Sequence, residues 1–159
     1  MLGHVRELRR VVGAHATLIV NDRADLCLAC GCDGVHVGQE DLSVEGARSV
    51  VGENALVGVS THNLQQISEA DQTSADYIAV GPVFATKTKI NPEPVVGLEL
   101  IQAARKTTAK PIVAIGGITS ANCRSVIEAG ADSVAVISEL QASARKSVEQ
   151  FLRELSAGD

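Results

Sequence analysis

Aromatic side chains are almost missing from this chain: it has no tryptophan, one tyrosine and two phenylalanines in 159 residues, 2% against 45% hydrophobic residues in all. Its core is therefore aliphatic, built from valine, isoleucine, leucine and alanine, a composition that suits parallel strands covered by helices. No apolar run comes near the roughly 18 residues of a membrane span. A basic excess is also lacking. The formal charge is −5 and the pI about 5.3, which argues against nucleic acid or an anionic membrane as the main partner. Residues 1–10 carry charges where a signal peptide needs its apolar stretch, so a cytoplasmic protein is expected. The length fits one domain, residues 1–159, large enough to bury a substantial core.

Four cysteines are present, at Cys27, Cys30, Cys32 and Cys123. The first three are spaced closely enough for thiolates to share a zinc ion or a cluster. No second ligand pair has metal-like spacing, and Cys27 and Cys30 fall one helical turn apart beside Leu26 and Leu28. Buried structural thiols are the expectation.

Along the chain, helix and strand patterns alternate without exception. Leu2, Val5, Leu8 and Val12 recur at helical spacing and predict an amphipathic helix ending near Gly13. Strands are expected at 16–20, 34–37, 56–59, 77–80, 111–115 and 133–136. Helices are expected between them, one capped by Ser43 and stopped at Gly52, another running 97–106, another capped by Ser120 and terminated at Gly130. Val148, Phe151, Leu152 and Leu155 mark a last amphipathic helix. This order means parallel strands joined by crossover helices.

The second, fourth and sixth strands echo one another: Cys32-Asp33-Gly-Val-His-Val, Ala75-Asp76-Tyr-Ile-Ala-Val and Ala131-Asp132-Ser-Val-Ala-Val. Repetition in alternate strands is what a (βα) barrel with two-strand layering shows. Asp33, Asp76 and Asp132 stand where those strands begin, so capping and stability are their expected roles. Asn21, Asp22, Gln39, Asp41, Ser60, Thr86, Thr88, Lys89, Gly117 and Ser138 all follow strand ends and would gather on one face. In barrels that is the active face, and its last two strand ends commonly hold a phosphate.

The stretch from Gly81 to Lys89 carries two threonines and two lysines and no acid. Such donors suit phosphate oxygens, and a solvated basic loop is the plainer alternative. Gly116-Gly117, before a helix, offers bare backbone amides to an anion, as does the turn after Val136. Asp22 and Asp41 end adjacent strands. They fit a shared magnesium ion, an acid/base pair, or ordinary loop aspartates. His36 alternates with Val35 and Val37 and points inward or into the helix layer, as a packed or a catalytic histidine. His62 is expected to be helix-start structure, and His4 and His15 carry no signal.

Several of these segments, taken together, resemble thiamin phosphate synthases: Leu18-Ile-Val-Asn-Asp22, Asp33-Gly-Val-His-Val-Gly-Gln-Glu-Asp41, Gly58-Val-Ser-Thr-His62, Ala75-Asp-Tyr-Ile-Ala-Val-Gly-Pro82, Thr86-Lys-Thr-Lys89, Ile115-Gly-Gly-Ile-Thr119 and Ala129-Gly-Ala-Asp132. The resemblance covers nearly the whole chain. It implies a TIM barrel that joins a hydroxymethylpyrimidine diphosphate to a thiazole phosphate and releases pyrophosphate. By the same resemblance Asp22 and Asp41 match magnesium ligands, and Asn21, Ser60 and Lys89 match contacts to the pyrimidine diphosphate. Thr86, Thr88, Gly117, Ile137 and Ser138 match positions that hold the thiazole phosphate. The implied mechanism is dissociative, with pyrophosphate leaving before the thiazole nitrogen attacks. Lys89 and Ser60 are then the expected catalytic residues, and no protein nucleophile is required.

The chain departs from the pattern at its start. Only six strands follow the opening helix, so the fold expected is an α/β TIM (βα)8-type barrel, N-terminally truncated to an initial helix plus six βα units. A basic cluster that grips pyrophosphate in the family has no counterpart here. Open parallel edges would then favour a homo-oligomer. The alternatives are a non-catalytic truncated barrel that still binds phosphate, and a thiazole tautomerase-like barrel enzyme. Against the tautomerase, Pro82 stands where its catalytic histidine would be.

Overall fold

A computed structural model describes residues 1–86, 88 and 93–156. The chain opens with helix α1 (Leu2–Val12), followed by strand β1 (Ile19–Asn21), α2 (Ala24–Cys30), β2 (Gly34–Val37), α3 (Val44–Val51), β3 (Leu56–Thr61), α4 (Leu64–Asp71) and β4 (Tyr77–Val80). Then come α5 (Gly97–Thr107), β5 (Ile112–Ile115), α6 (Cys123–Glu128), β6 (Ser133–Ala135) and α7 (Leu140–Ser156). The six strands are all parallel and lie in the order β1-β2-β3-β4-β5-β6. Strands that neighbour one another in chain order, joined by crossovers of one hand, place every helix on the same face of the sheet.

Residue register shows how the core follows from the sequence. One row runs Val37, Val59, Ile78, Ile112, and another runs Thr61, Val80, Ala114, Val134. These side chains face the helices. Val35, Val57, Ile78, Val80, Ile112 and Ala114 are fully buried there, with Ile67 of α4, Ile101 of α5 and Val126 of α6 closing over them. The opposite face carries the row Asn21, His36, Gly58, Tyr77 and the row Ser60, Ala79, Val113, Ser133. It is only partly covered. Asn21 and Ser133 are exposed, and His36, Ser60, Tyr77 and Val113 are half-buried.

The three repeated aspartates form three matching clamps. Asp33 takes the Leu18 amide at 2.7 Å and Arg9 of α1 at 2.6 Å. Asp76 takes the Val57 amide at 2.7 Å and Arg48 of α3 at 2.6 Å. Asp132 takes the Ile112 amide at 2.7 Å and Arg105 of α5 at 2.9 Å. Each aspartate thus caps the start of the preceding strand and anchors the helix before that strand. The Leu18 amide, and after it Arg9, holds the Asp33 carboxyl below the usual carboxylate range. The repeat in sequence is a repeat of this joint, and α1 has the same place in it as α3 and α5.

Several expected boundaries shift for local reasons. β1 starts at Ile19 rather than Ala16, just after the Leu18 amide that the Asp33 carboxylate takes. Ser43 caps α3 as expected, accepting the Gly46 amide at 3.1 Å, and Gly52 ends it. Ser120, expected to cap α6, does not do so: the helix starts at Cys123 after Asn122, and Ser120 is engaged elsewhere. Helix α7 has a non-helical break at Ser143. Cys27 packs in the core, and burial pushes its thiol up to about 11. No described helix is long and apolar enough to cross a membrane.

Candidate active site

The strand exits bring most of the sequence-predicted residues to one end of the sheet. Asp22 follows β1 with φ 61, the one non-glycine with positive φ among the described residues. That backbone is costly for a residue with a Cβ and is tolerated by Asp and Asn better than by most. Its amide donates to the His36 carbonyl at 2.7 Å, which places it beside the end of β2. Asn21 donates from Nδ2 to the Asp22 carboxylate at 2.7 Å. Asp41 reaches back to the same strand end, accepting the Gly38 amide at 2.8 Å. Both aspartates are thus tied to the His36–Gly38 exit, Asp22 through its backbone amide and Asp41 through its carboxylate.

Hard carboxylate oxygens at adjacent strand ends fit magnesium, which takes one or two protein carboxylates and keeps water and substrate oxygens for the rest of its shell. Among the described residues, no three His, Cys, Asp or Glu side chains converge as a metal cage.

His36 resolves into the face away from the helices, at the centre of a polar chain. Its Nδ1 lies 3.0 Å from the Tyr77 hydroxyl and its Nε2 2.8 Å from the Ser60 hydroxyl. The His36 and Tyr77 rings stack with centroids 5.5 Å apart and planes 25° from parallel. A neutral imidazole donates from one nitrogen and accepts at the other, so the two hydroxyls play opposite parts. Burial lowers the His36 pKa, with the Asp41 charge opposing. Burial also pushes the Tyr77 phenol up to about 12. Neutral forms of both rings are thus favoured near pH 7. The arrangement depends on Gly58, because a Cβ there would meet the Tyr77 ring at 2.0 Å. Tyr77 lies across β3 to reach His36 only because nothing stands on Gly58. Gln39 completes this side by donating to the Ser60 carbonyl at 2.7 Å.

The other side of the site is built from the loop after β4 and the turn after β5. The Val83 amide donates to the Ile115 carbonyl at 2.9 Å and the Phe84 amide to the Gly116 carbonyl at 3.1 Å. The Val96 amide returns to the Pro82 carbonyl at 2.9 Å and closes the base of the loop. Gly117 has φ 65, and a Cβ on it would meet the Ala85 and Phe84 carbonyl oxygens at 2.6 and 2.7 Å. The Gly-Gly pair thus serves a close backbone approach. Thr86 Oγ1 lies 3.3 Å from both the Thr88 amide and the Thr88 hydroxyl. Lys89, expected to be catalytic, lies outside the described residues, as does Lys87. Ile137 and Ser138 follow β6 in an exposed turn.

His62 is more than helix-start structure. Its amide donates to Gln66 Oε1 at 2.7 Å, and its Nδ1 donates to the Gly81 carbonyl at 2.6 Å. A carbonyl oxygen only accepts, so the Nδ1–H tautomer is fixed there. His62 therefore ties the exit of β3 to the start of the threonine loop.

A family model described as "Thiamine monophosphate synthase" matches residues 1–140. The chain belongs to the thiamine monophosphate synthase family. A thiamine-phosphate synthase of Koribacter versatilis is 59% identical over 155 residues, covering 98% of this chain and 74% of that protein. One from Caldicellulosiruptor bescii is 41% identical over 154 residues, covering 95% of this chain and 70% of its own length. Among solved structures, a thiamine phosphate pyrophosphorylase from Pyrococcus furiosus superposes with a TM-score of 0.87 at 34% identity, covering 97% of this chain and 75% of that one. An N-(5'-phosphoribosyl)anthranilate isomerase from the same organism reaches a TM-score of 0.71 at 16% identity, a likeness of fold alone. The six-stranded parallel sheet with alternating helices is thus an α/β fold close to that of the family's solved members.

Sequence reading missed the Tyr77–His36–Ser60 chain and the role of Gly58. The signal was faint but present: the chain's single tyrosine lies in the register row of His36 with a glycine between them.

Proposed function

We propose that the chain is a thiamine-phosphate synthase, joining a hydroxymethylpyrimidine diphosphate to a thiazole phosphate with release of pyrophosphate. The observation that carries this reading is the pairing of two stations on one sheet end. Asp22 and Asp41 are both tied by hydrogen bonds to the exit of β2, Asp22 through its amide and Asp41 through its carboxylate, and the loop that carries Thr86 and Thr88 is bonded to the Gly116-Gly117 turn across the same end. Two anionic substrates held at two such stations lie in reach of each other, and proximity of that kind removes much of the barrier to joining them.

In this reading Asp22 and Asp41 hold Mg2+, which when bound neutralises charge on the diphosphate. Asn21, Ser60 and Lys89 bind the pyrimidine diphosphate. Lys89 lends positive charge to the departing pyrophosphate, and Ser60 supplies a hydroxyl whose direction His36 sets. Thr86, Thr88, the Gly117 amide and the Ile137–Ser138 turn hold the thiazole phosphate, with hydroxyls and backbone amides as donors. The carbon–oxygen bond to pyrophosphate breaks with its electron pair leaving on oxygen, and the thiazole nitrogen lone pair then forms the new carbon–nitrogen bond. No side chain becomes covalently attached.

The sheet is read as part of a (βα)8-type barrel, of which this chain supplies α1 and six βα units. The place of α1 in the repeated clamp supports this, since Arg9 serves Asp33 as Arg48 and Arg105 serve their own aspartates. Pairing of copies through the sheet edges at β1 and β6 goes with this reading, and sedimentation that gives a stable monomer would count against it.

The deciding experiment is formation of thiamin phosphate by this chain from the two substrates with magnesium, beside an Asp41→Ala variant. Magnesium-dependent turnover, reduced at least about 100-fold in the variant, is the expected result. A folded wild-type chain that makes no product would refute the proposal.

A further inference from the structure

We propose that Glu139 is a positioning residue for the phosphate-holding side of the site and that it acts through Ser120. The inference rests on the reading above, in which Gly117 and Ser138 flank the thiazole phosphate. Neither Glu139 nor Ser120 needs to touch substrate for it.

The Glu139 carboxylate accepts two hydrogen bonds from Ser120, one from the amide at 2.8 Å and one from the hydroxyl at 2.6 Å. Ser120 is buried, so water does not readily replace a lost partner there. The Glu139 carbonyl in turn accepts from the Ser147 hydroxyl at 2.8 Å, which fastens the same residue to α7. On the other flank, Asn122 accepts the Thr119 amide at 2.8 Å and donates to the Gly117 carbonyl at 3.2 Å. Gly117 is thus held by Asn122, its loop is held by Glu139, and Glu139 is the next residue after Ser138.

The ladder between β5 and β6 ends at the pair Ile115 and Ala135. Beyond it the two turns that would flank the phosphate are joined by the Ser120–Glu139 contact. Ser120 thus serves this joint rather than capping α6, which begins at Cys123 after Asn122.

A carboxylate near an anion site opposes the anion by charge. Two effects of Glu139 therefore have opposite signs. If its charge matters most, removing it strengthens phosphate binding. If its hydrogen bonds matter most, removing them weakens binding because the two turns drift apart. Geometry is the effect proposed here.

The test compares Glu139→Ala, Glu139→Gln and Ser120→Ala with wild type, measuring the Kd of the thiazole phosphate by calorimetry and steady-state kinetics for both substrates. Loss of the two contacts in Glu139→Ala is expected to raise Kd and KM for the thiazole phosphate about tenfold. The KM for the pyrimidine diphosphate should stay within about twofold of wild type. Glu139→Gln keeps an acceptor for the Ser120 amide and a donor for its hydroxyl while losing the charge, so it should bind at least as tightly as wild type. Ser120→Ala should shift in the same direction as Glu139→Ala, by less.

A Glu139→Ala chain that binds the thiazole phosphate as well as or better than wild type overturns the inference, as does a Glu139→Gln chain as weak as Glu139→Ala. So does equal weakening of both substrates. If Glu139→Ala does not fold, an unchanged Ser120→Ala chain overturns it. Wild type that binds the thiazole phosphate without turnover overturns the synthase reading alone. Normal turnover with an indistinguishable Glu139→Ala chain overturns this inference alone.

Discussion

The Nε2 of His36 lies 2.8 Å from the Ser60 hydroxyl, in a histidine whose pKa burial holds below its ordinary value of 6.5. The unfolded chain therefore binds a proton at this group more readily than the folded one. The His36 contribution to stability is fully present above the unfolded value and is lost as pH falls through the folded one. Urea midpoints measured from pH 7.5 to pH 5 should decline in wild type, and the decline should be shallower in His36→Asn. Parallel profiles for the two chains would contradict the assignment.

Arg48 and Asp76 test the repeated clamps. Arg48 is 8% exposed and donates to Asp76 and to the carbonyls of Gly52, Ala55 and Ser74. Removing the carboxylate by Asp76→Ala leaves a buried guanidinium without its counter-charge, a loss of about 3 kcal/mol. The matching Asp132→Ala change should cost less, because that aspartate and Arg105 are more open to water. Denaturant titration of both variants checks the ranking, and equal losses would show that the burial of Arg48 is not what matters.

Gly58 and Tyr77 should be coupled. A Cβ on Gly58 meets the tyrosine ring, so Gly58→Ala must push Tyr77 off His36, at a cost of about 2 kcal/mol. In a Tyr77→Ala background the same glycine change no longer meets the ring and should cost much less. The double-mutant cycle measures this directly, and additive losses would place the strain elsewhere.

Asp22 holds a backbone that favours glycine. Asp22→Gly should be more stable than Asp22→Ala by about 1 kcal/mol, since only the alanine keeps a Cβ without the polar side chain that tolerates this region. Both variants should lose magnesium-dependent activity. Equal unfolding midpoints would argue that the turn relaxes when the aspartate is lost.

The alternation of strands and helices, their parallel sense, the aliphatic core and the gathering of the candidate residues at the strand exits were all legible in the sequence. These features follow from local periodicity and from glycines and capping residues that act over a few positions, Ser43 on α3 being one. The repeated aspartates at 33, 76 and 132 were visible for the same reason, as parts of short recurring segments. Their arginines were not. Arg9, Arg48 and Arg105 stand 24, 28 and 27 residues before their partners, and only the packing of each helix on its strand pair gives the contact.

Tertiary structure likewise decided which way His36 faces, because a strand residue's face is settled by register with its neighbours. It placed Tyr77 over Gly58, and it drew Ser120 away from its helix to Glu139. Each of these depends on side chains from separate crossover units meeting at one distance, which no local pattern encodes. The order of the elements is written locally along the chain, whereas the connections that shape the site exist only once the strands lie side by side.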